Sequence, residues 1–171
     1  MSMGVKLRIF ILTLLIIGVA TAAEQERPIG NAREQFPGTW ELLSVERLNA
    51  EGNWVSTAGG LSGKSIGMLM YDEVGHMSVH IMNPHRVTYP SAWSTLTADQ
   101  LRDTIRGYVA YFGTYEVNEG ESYVVHHRRG HLSPSQVGVD AKRFFEFSGD
   151  RLTLYVAPSR NLRLTWRRIE N

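Results

Sequence analysis

The stretch Phe36-Pro37-Gly38-Thr39-Trp40-Glu41 decides how this chain is read. The residues before it, 24–35, are polar and include Pro28 and Gly30. Together with Phe36 they read as a flexible linker, 24–36. The residues after it alternate with a period of two, which predicts a strand over 39–48. On that strand Trp40, Leu42 and Ser44 share one face, and Leu43, Val45 and Arg47 share the other. A folded domain is therefore expected over 37–170.

Upstream of the linker, residues 1–23 read as a secretory signal peptide. Lys6 and Arg8 make a positive start, and Ile9 to Val19 is an apolar run of 11 residues. That run is short against the ~20 residues of a membrane span. Small residues at Ala20-Thr21-Ala22-Ala23 allow cleavage after Ala22 or Ala23; the alternative is a leader retained as an anchor. Cleavage after Ala23 leaves 148 residues with 16 basic and 17 acidic side chains. One domain of that length supports a proper core. A net charge near −1 predicts no nucleic-acid surface. The expected location is the periplasm or the exterior, with no stable membrane span once the leader is gone. The chain has no cysteine, so thiol nucleophiles, Fe–S clusters, cysteine-zinc sites and disulfides are excluded.

Downstream, strand-like runs follow at 65–71, 76–82, 114–117, 122–131, 141–147, 151–156 and 162–168, with a short one possible at Trp54-Val55. Turn signals separate them: Asp72-Glu73-Val74-Gly75, Asn118-Glu119-Gly120-Glu121 and Ser148-Gly149-Asp150. One helix interrupts them, expected at about 98–111. Thr97 and Gln100 form a capping box at its start, and Leu101, Ile105, Val109 and Phe112 recur at helical spacing. About eight antiparallel strands joined by short hairpins predict an all-β fold, an up-and-down barrel or a sandwich.

Several separated blocks resemble the lipocalin-like domain family. They are Gly38-Thr39-Trp40-Glu41-Leu42-Leu43-Ser44, Gly75-His76-Met77-Ser78-Val79, the run from Gly107 to Val117, His126-His127, the run from Phe145 to Leu154, and Leu164-Thr165-Trp166. The resemblance implies an antiparallel up-and-down calycin barrel of about eight strands with one helix. It also implies that Trp40 closes one barrel end and that a basic residue of the last strand, Arg167 or Arg168, packs on its ring. It implies no single activity: related barrels act as binders or as cofactor-free cyclases. After Leu132-Ser133-Pro134, similar proteins often carry Asn-Trp; Ser135-Gln136 stand here, so a pocket-closing aromatic is missing.

Six histidines lie between 76 and 131. His76 and His80 are about 13 Å apart along a strand at ~3.3 Å per residue, too far to chelate one ion alone. His126 and His127 point to opposite faces. No metal site and no cofactor are expected. Arg143 shares a face with Phe145 and Phe147, and an arginine on an apolar face requires a carboxylate partner or an anionic ligand. On the 122–131 strand both faces carry charge; His127 is taken as the inward one. Met68, Met70, Met77 and Met82 flank the first long hairpin and suit an adaptable apolar pocket.

The expected function is an exported barrel holding a small apolar or amphipathic molecule, acid-bearing where it meets Arg143. Tyr71, Tyr115, His127 and Arg143 are the expected polar contacts, with Leu69, Met77 and Phe145 as apolar lining. The alternative is a cofactor-independent isomerase or cyclase, or a hydrolase, using a His/Tyr acid–base pair, His127 with Tyr115, in the same cavity.

Overall fold

Nine strands and one α-helix build the domain in a computed structural model that describes residues 31–58, 60–90 and 92–169. The leader and residues 24–30 lie outside the described residues. In chain order the strands are β1 (Gly38–Leu48), β2 (Trp54–Ser56), β3 (Ile66–Tyr71), β4 (His76–Met82), β5 (Tyr108–Asn118), β6 (Tyr123–His131), β7 (Asp140–Ser148), β8 (Arg151–Val156) and β9 (Leu162–Arg168). The helix α1 (Ala98–Ile105) sits between β4 and β5. Every strand pairing is antiparallel, each strand from β3 onward pairs with the next, and β1 closes the ring against β9. The result is an eight-stranded up-and-down barrel, with β2 as a short extra strand on the end of β1. Closure leaves the barrel wall without a free edge. Among the described residues no helix is long and apolar enough to cross a membrane.

A plug fills one barrel end. Ala32–Gln35 forms a short 3-10 helix, and Phe36 after it is fully buried. The last part of the expected linker is thus ordered, because Phe36 finds four rings to pack on. Its ring lies 5.1 Å from Tyr71, 6.0 Å from Tyr115, 5.0 Å from Phe145 and 5.1 Å from Phe147. Trp40 is also fully buried and donates its indole N–H to the Phe36 carbonyl at 3.0 Å. Of the two basic candidates it is Arg168 that covers Trp40, its guanidinium 4.2 Å from the ring centroid. Arg168 also donates to the Pro37 carbonyl at 2.7 Å and to the Gln35 carbonyl. One arginine therefore ties the last strand, the first strand and the plug together.

Two β-bulges reset which residues face inward. In β1 the register shifts between Leu42 and Ser44, so Trp40 and Val45, five residues apart, are both inside. Strict alternation had set them on opposite faces; the extra residue, Leu43, reverses the parity. In β5–β6 the register shifts between Phe112 and Gly113, which pair with Gly130 and Arg128. Arg129 is the extra residue. Gly113 is required there, because a Cβ would come within 1.9 Å of the His127 carbonyl oxygen.

The helix is shorter than the expected 98–111. The capping box forms as read, with Thr97 and Gln100 exchanging bonds. The helix then stops at Ile105, since Gly107 takes φ +77° and Tyr108 already pairs with Met82. Val109 and Phe112 accordingly belong to β5; Val109 packs on the core and Phe112 points outward, 59% exposed.

Candidate functional site

Inward-facing positions follow from the pairing register. On β6 they are Val124, His126 and Arg128, opposite Tyr115 and Gly113 of β5 and Arg143 and Ala141 of β7. His126 is 1% exposed and stands between two tyrosines. Its Nε2 lies 2.7 Å from the Tyr71 hydroxyl, and its Nδ1 lies 2.9 Å from the Tyr111 hydroxyl. Burial pushes the His126 pKa well below its ordinary 6.5, and the charges of Arg143 and Arg128 push the same way. The ring is therefore neutral, with one donor and one acceptor. Burial likewise raises both tyrosines.

Hydrogen counting then constrains the site. Two hydroxyl hydrogens and one ring hydrogen serve two hydrogen bonds. One hydroxyl hydrogen is left over and needs an acceptor elsewhere. The neighbours supply none of their own side chains, because arginine only donates. Arg143 is half-buried on the inner face, spends one N–H on the Lys142 carbonyl at 2.8 Å, and its charge acts on the Tyr111 hydroxyl. Arg128 spends its Nε–H on the Val139 carbonyl at 2.6 Å and lies 5.8 Å from the Tyr111 ring centroid. Neither arginine has an ion-pair partner among the described residues. The Trp166 indole N–H is a further buried donor without a partner among them.

Above this polar layer, toward the open end, the walls turn apolar. A cavity of about 430 Å³ is walled by the inward-facing Val45, Leu162 and Leu164, with Leu61 and Val55 at its rim. Arg143 does not itself line this cavity; it pairs with Val156 on β8, and Val156 and Leu162 both pack against the core. The loop carrying Leu61 is held by its own bonds, Thr57 Oγ1 donating to the Leu61 carbonyl at 2.8 Å and Gly63 N–H to the Thr57 carbonyl at 3.0 Å. A larger concavity, about 570 Å³, lies on the outer wall beside Met70, His76, Ser78 and Phe112. It is open to solvent, and the inward-facing Tyr71 and Met77 also line it.

Tyr71, Leu69, Met77, Tyr115, Phe145 and Arg143 all face the interior, as read from the sequence. They are not all in one place. Tyr115 sits in the plugged end and donates its hydroxyl to the Asp72 carbonyl at 2.8 Å, which anchors the β3–β4 turn. His127 is a correction. It lies on the outer wall, Nδ1 2.8 Å from Asp140 and Nε2 3.8 Å from Glu116, because His126 takes the inward position opposite Tyr115. A His127/Tyr115 pair therefore does not exist across the wall. Met68 and Met70 also point outward, 45% and 42% exposed.

Sequence reasoning missed His126 as the inward histidine and missed Tyr111, Arg128 and Trp166. Tyr111, Gly113 and Tyr115 do recur at a strand period. That signal was masked by reading 98–111 as one helix. His131 returns inward beyond the Arg129 bulge and stacks on Tyr111, centroids 5.6 Å apart.

No curated protein matches the chain. Among solved structures, an uncharacterized protein from Bacteroides eggerthii DSM 20697 is similar at 10% identity and TM-score 0.42, covering 78% of this chain and 99% of that one. A point mutant of the fluorescent protein UnaG is similar at 15% identity and TM-score 0.38, covering 81% of this chain and 99% of that one. The family match is of another order: the model of the lipocalin-like domain spans residues 37–169, the whole barrel from Pro37 to the end of β9, and the chain belongs to that family.

Proposed function

We propose that this protein is a carrier for a small amphipathic molecule with an apolar body and an acid group. The observation that carries the reading is the surplus of buried donors. One tyrosine hydroxyl hydrogen and the Trp166 N–H are buried, and the half-buried guanidinium groups of Arg143 and Arg128 beside them have no carboxylate partner among the described residues. Buried donors of this kind are satisfied by an acceptor-rich ligand, and a carboxylate meets two guanidinium groups at lowest cost. The apolar body then lies in the mouth cavity, whose volume of about 430 Å³ suits a small ligand. The neutral His126 holds the tyrosines in place without adding a charge of its own.

A second reading has one observation in its favour. The Tyr71–His126–Tyr111 chain is a ready path for moving a proton between two hydroxyls, as isomerisation or cyclisation requires. In that reading His126, with Tyr111 as the group nearest the arginines, replaces the His127/Tyr115 pair. Export through the 1–23 leader belongs to both readings, and the mature N-terminus at Ala23 or Glu24 would be read in the same mass measurement.

Native mass spectrometry of protein purified from its own host compartment is the test. The carrier reading expects a co-purifying small molecule whose mass is lost on denaturation and which ionises as an acid. Protein that is free of any small molecule, and that takes up no amphipathic acid when challenged with a mixture of them, would contradict it.

A further inference from the structure

We infer that the open end of the barrel docks on an anionic lipid bilayer, with the plugged end facing away. Exposed apolar side chains are not scattered over this protein. Of fourteen exposed large hydrophobic residues among the described ones, six lie on the connections at the open end and three more, Leu48, Val55 and Ile66, on the strands that flank them, while only Val74 and Ile169 lie at the plugged end. The most prominent are Trp93, 65% exposed, Val87 at 55%, Val137 at 48% and Ile105 at 46%. They come from three different connections: 83–107 between β4 and β5, which includes α1, 132–139 between β6 and β7, and, through Val55, the β1–β3 excursion. Three loops thus present apolar side chains at one end, and Val87 and Trp93 also line a concavity of about 360 Å³ there. A tryptophan at such an end suits the boundary between headgroups and acyl chains.

Charge is segregated along the same axis. The open-end loops (49–53, 57–65, 83–107, 132–139, 157–161) hold five Lys/Arg against three Asp/Glu. The plugged end (31–37, 72–75, 119–122, 149–150) holds one against six. The carboxylates at the open end are mostly spoken for: Asp99 pairs with Arg102, and Asp103 lies 3.9 Å from Arg106. On the β1 rim Glu46 takes Arg163 at 3.0 Å. Lys64, Arg160 and the rim residue Arg47 are exposed and have no carboxylate partner among the described residues. A molecule with an acidic base and a basic, apolar-tipped mouth is oriented by a negative surface before it touches it. The mouth cavity then opens toward the acyl chains. An anionic bilayer is the partner that matches both the charge and the apolar tips; an acidic protein would match only the charge.

The test is partition of the purified protein onto vesicles, read by flotation. The probes are vesicles of phosphatidylglycerol and phosphatidylcholine in equal parts, and of phosphatidylcholine alone. Binding is expected on the first, about tenfold weaker on the second, and largely lost when salt is raised from ~0.05 to ~0.5 M. Trp93→Ser with Lys64→Glu should lower binding by about tenfold or more, and Val74→Ser at the plugged end should leave it unchanged. An unchanged thermal midpoint in both variants shows that the fold is intact. No partition onto either vesicle, binding indifferent to lipid charge and salt, or a loss caused equally by Val74→Ser would overturn the proposal.

Discussion

His126 shows how one inward side chain sets the chemistry around it. Held neutral by burial and by two nearby arginines, it bridges Tyr71 and Tyr111 and fixes both hydroxyls. Its pKa falls on folding, so between the folded value and the ordinary 6.5 the unfolded chain binds a proton that the folded protein does not. Stability from this residue is complete above about pH 6.5 and declines as pH falls through the window below it, by at most ~1.4 kcal/mol per pH unit. Denaturant unfolding at pH 7.5, 6.5 and 5.5 should show this decline, and His126→Gln should flatten it. The bridge has a stability role as well. Tyr71→Phe leaves Nε2 without its partner and should cost about 1–2 kcal/mol at pH 7.5. A loss below ~0.3 kcal/mol would mean that the bridge is not formed. The residue itself was visible in the sequence, but its direction was not. His126 and His127 both sit among charged neighbours, and only pairing with β5 and β7 decides which one turns inward.

At the scale of elements, the hairpins were legible because turn residues and period-two alternation agree. The runs at 76–82, 151–156 and 162–168 are strands with those bounds. What alternation cannot reveal is an inserted residue. The bulges at Leu43 and Arg129 each swap inside for outside part-way along a strand, and with them the roles of Val45 and His131. The end of α1 was missed for a related reason: Leu101, Ile105, Val109 and Phe112 keep helical spacing across Gly107, although the backbone there turns to φ +77°. Gly113 carries the strongest prediction at this scale. Gly113→Ala would drive a Cβ into the His127 carbonyl and break the β5–β6 bulge, whereas Gly52→Ala, at φ +80° with open space around it, meets only backbone strain. The first should destabilise by more than ~3 kcal/mol and the second by about 1 kcal/mol. Comparable losses in thermal or chemical unfolding would show that the bulge is not held as described.

For the whole molecule, the barrel divides into a solid base and a receptive upper half. Phe36, Trp40 and Arg168 lock the base, and the rings of Tyr115, Phe145 and Phe147 fill it. The Gly38-x-Trp40 signal therefore located the closed end, and Arg143 pointed to the polar layer above it. The groups on which the Arg143 charge acts were out of reach of the sequence, because Tyr71, Tyr111 and His126 come from β3, β5 and β6 and meet only inside the barrel. The central claim is that this layer receives an acid group. It is tested most directly by titrating the protein with a fluorescent long-chain carboxylic acid and with the corresponding alcohol, in parallel with Arg143→Met. The account predicts that the acid binds at least about tenfold more tightly than the alcohol and that Arg143→Met removes most of this preference, in line with the ~1.5–3 kcal/mol of a hydrogen bond to a charged group. Equal affinity for acid and alcohol, or a preference untouched by Arg143→Met, would contradict it.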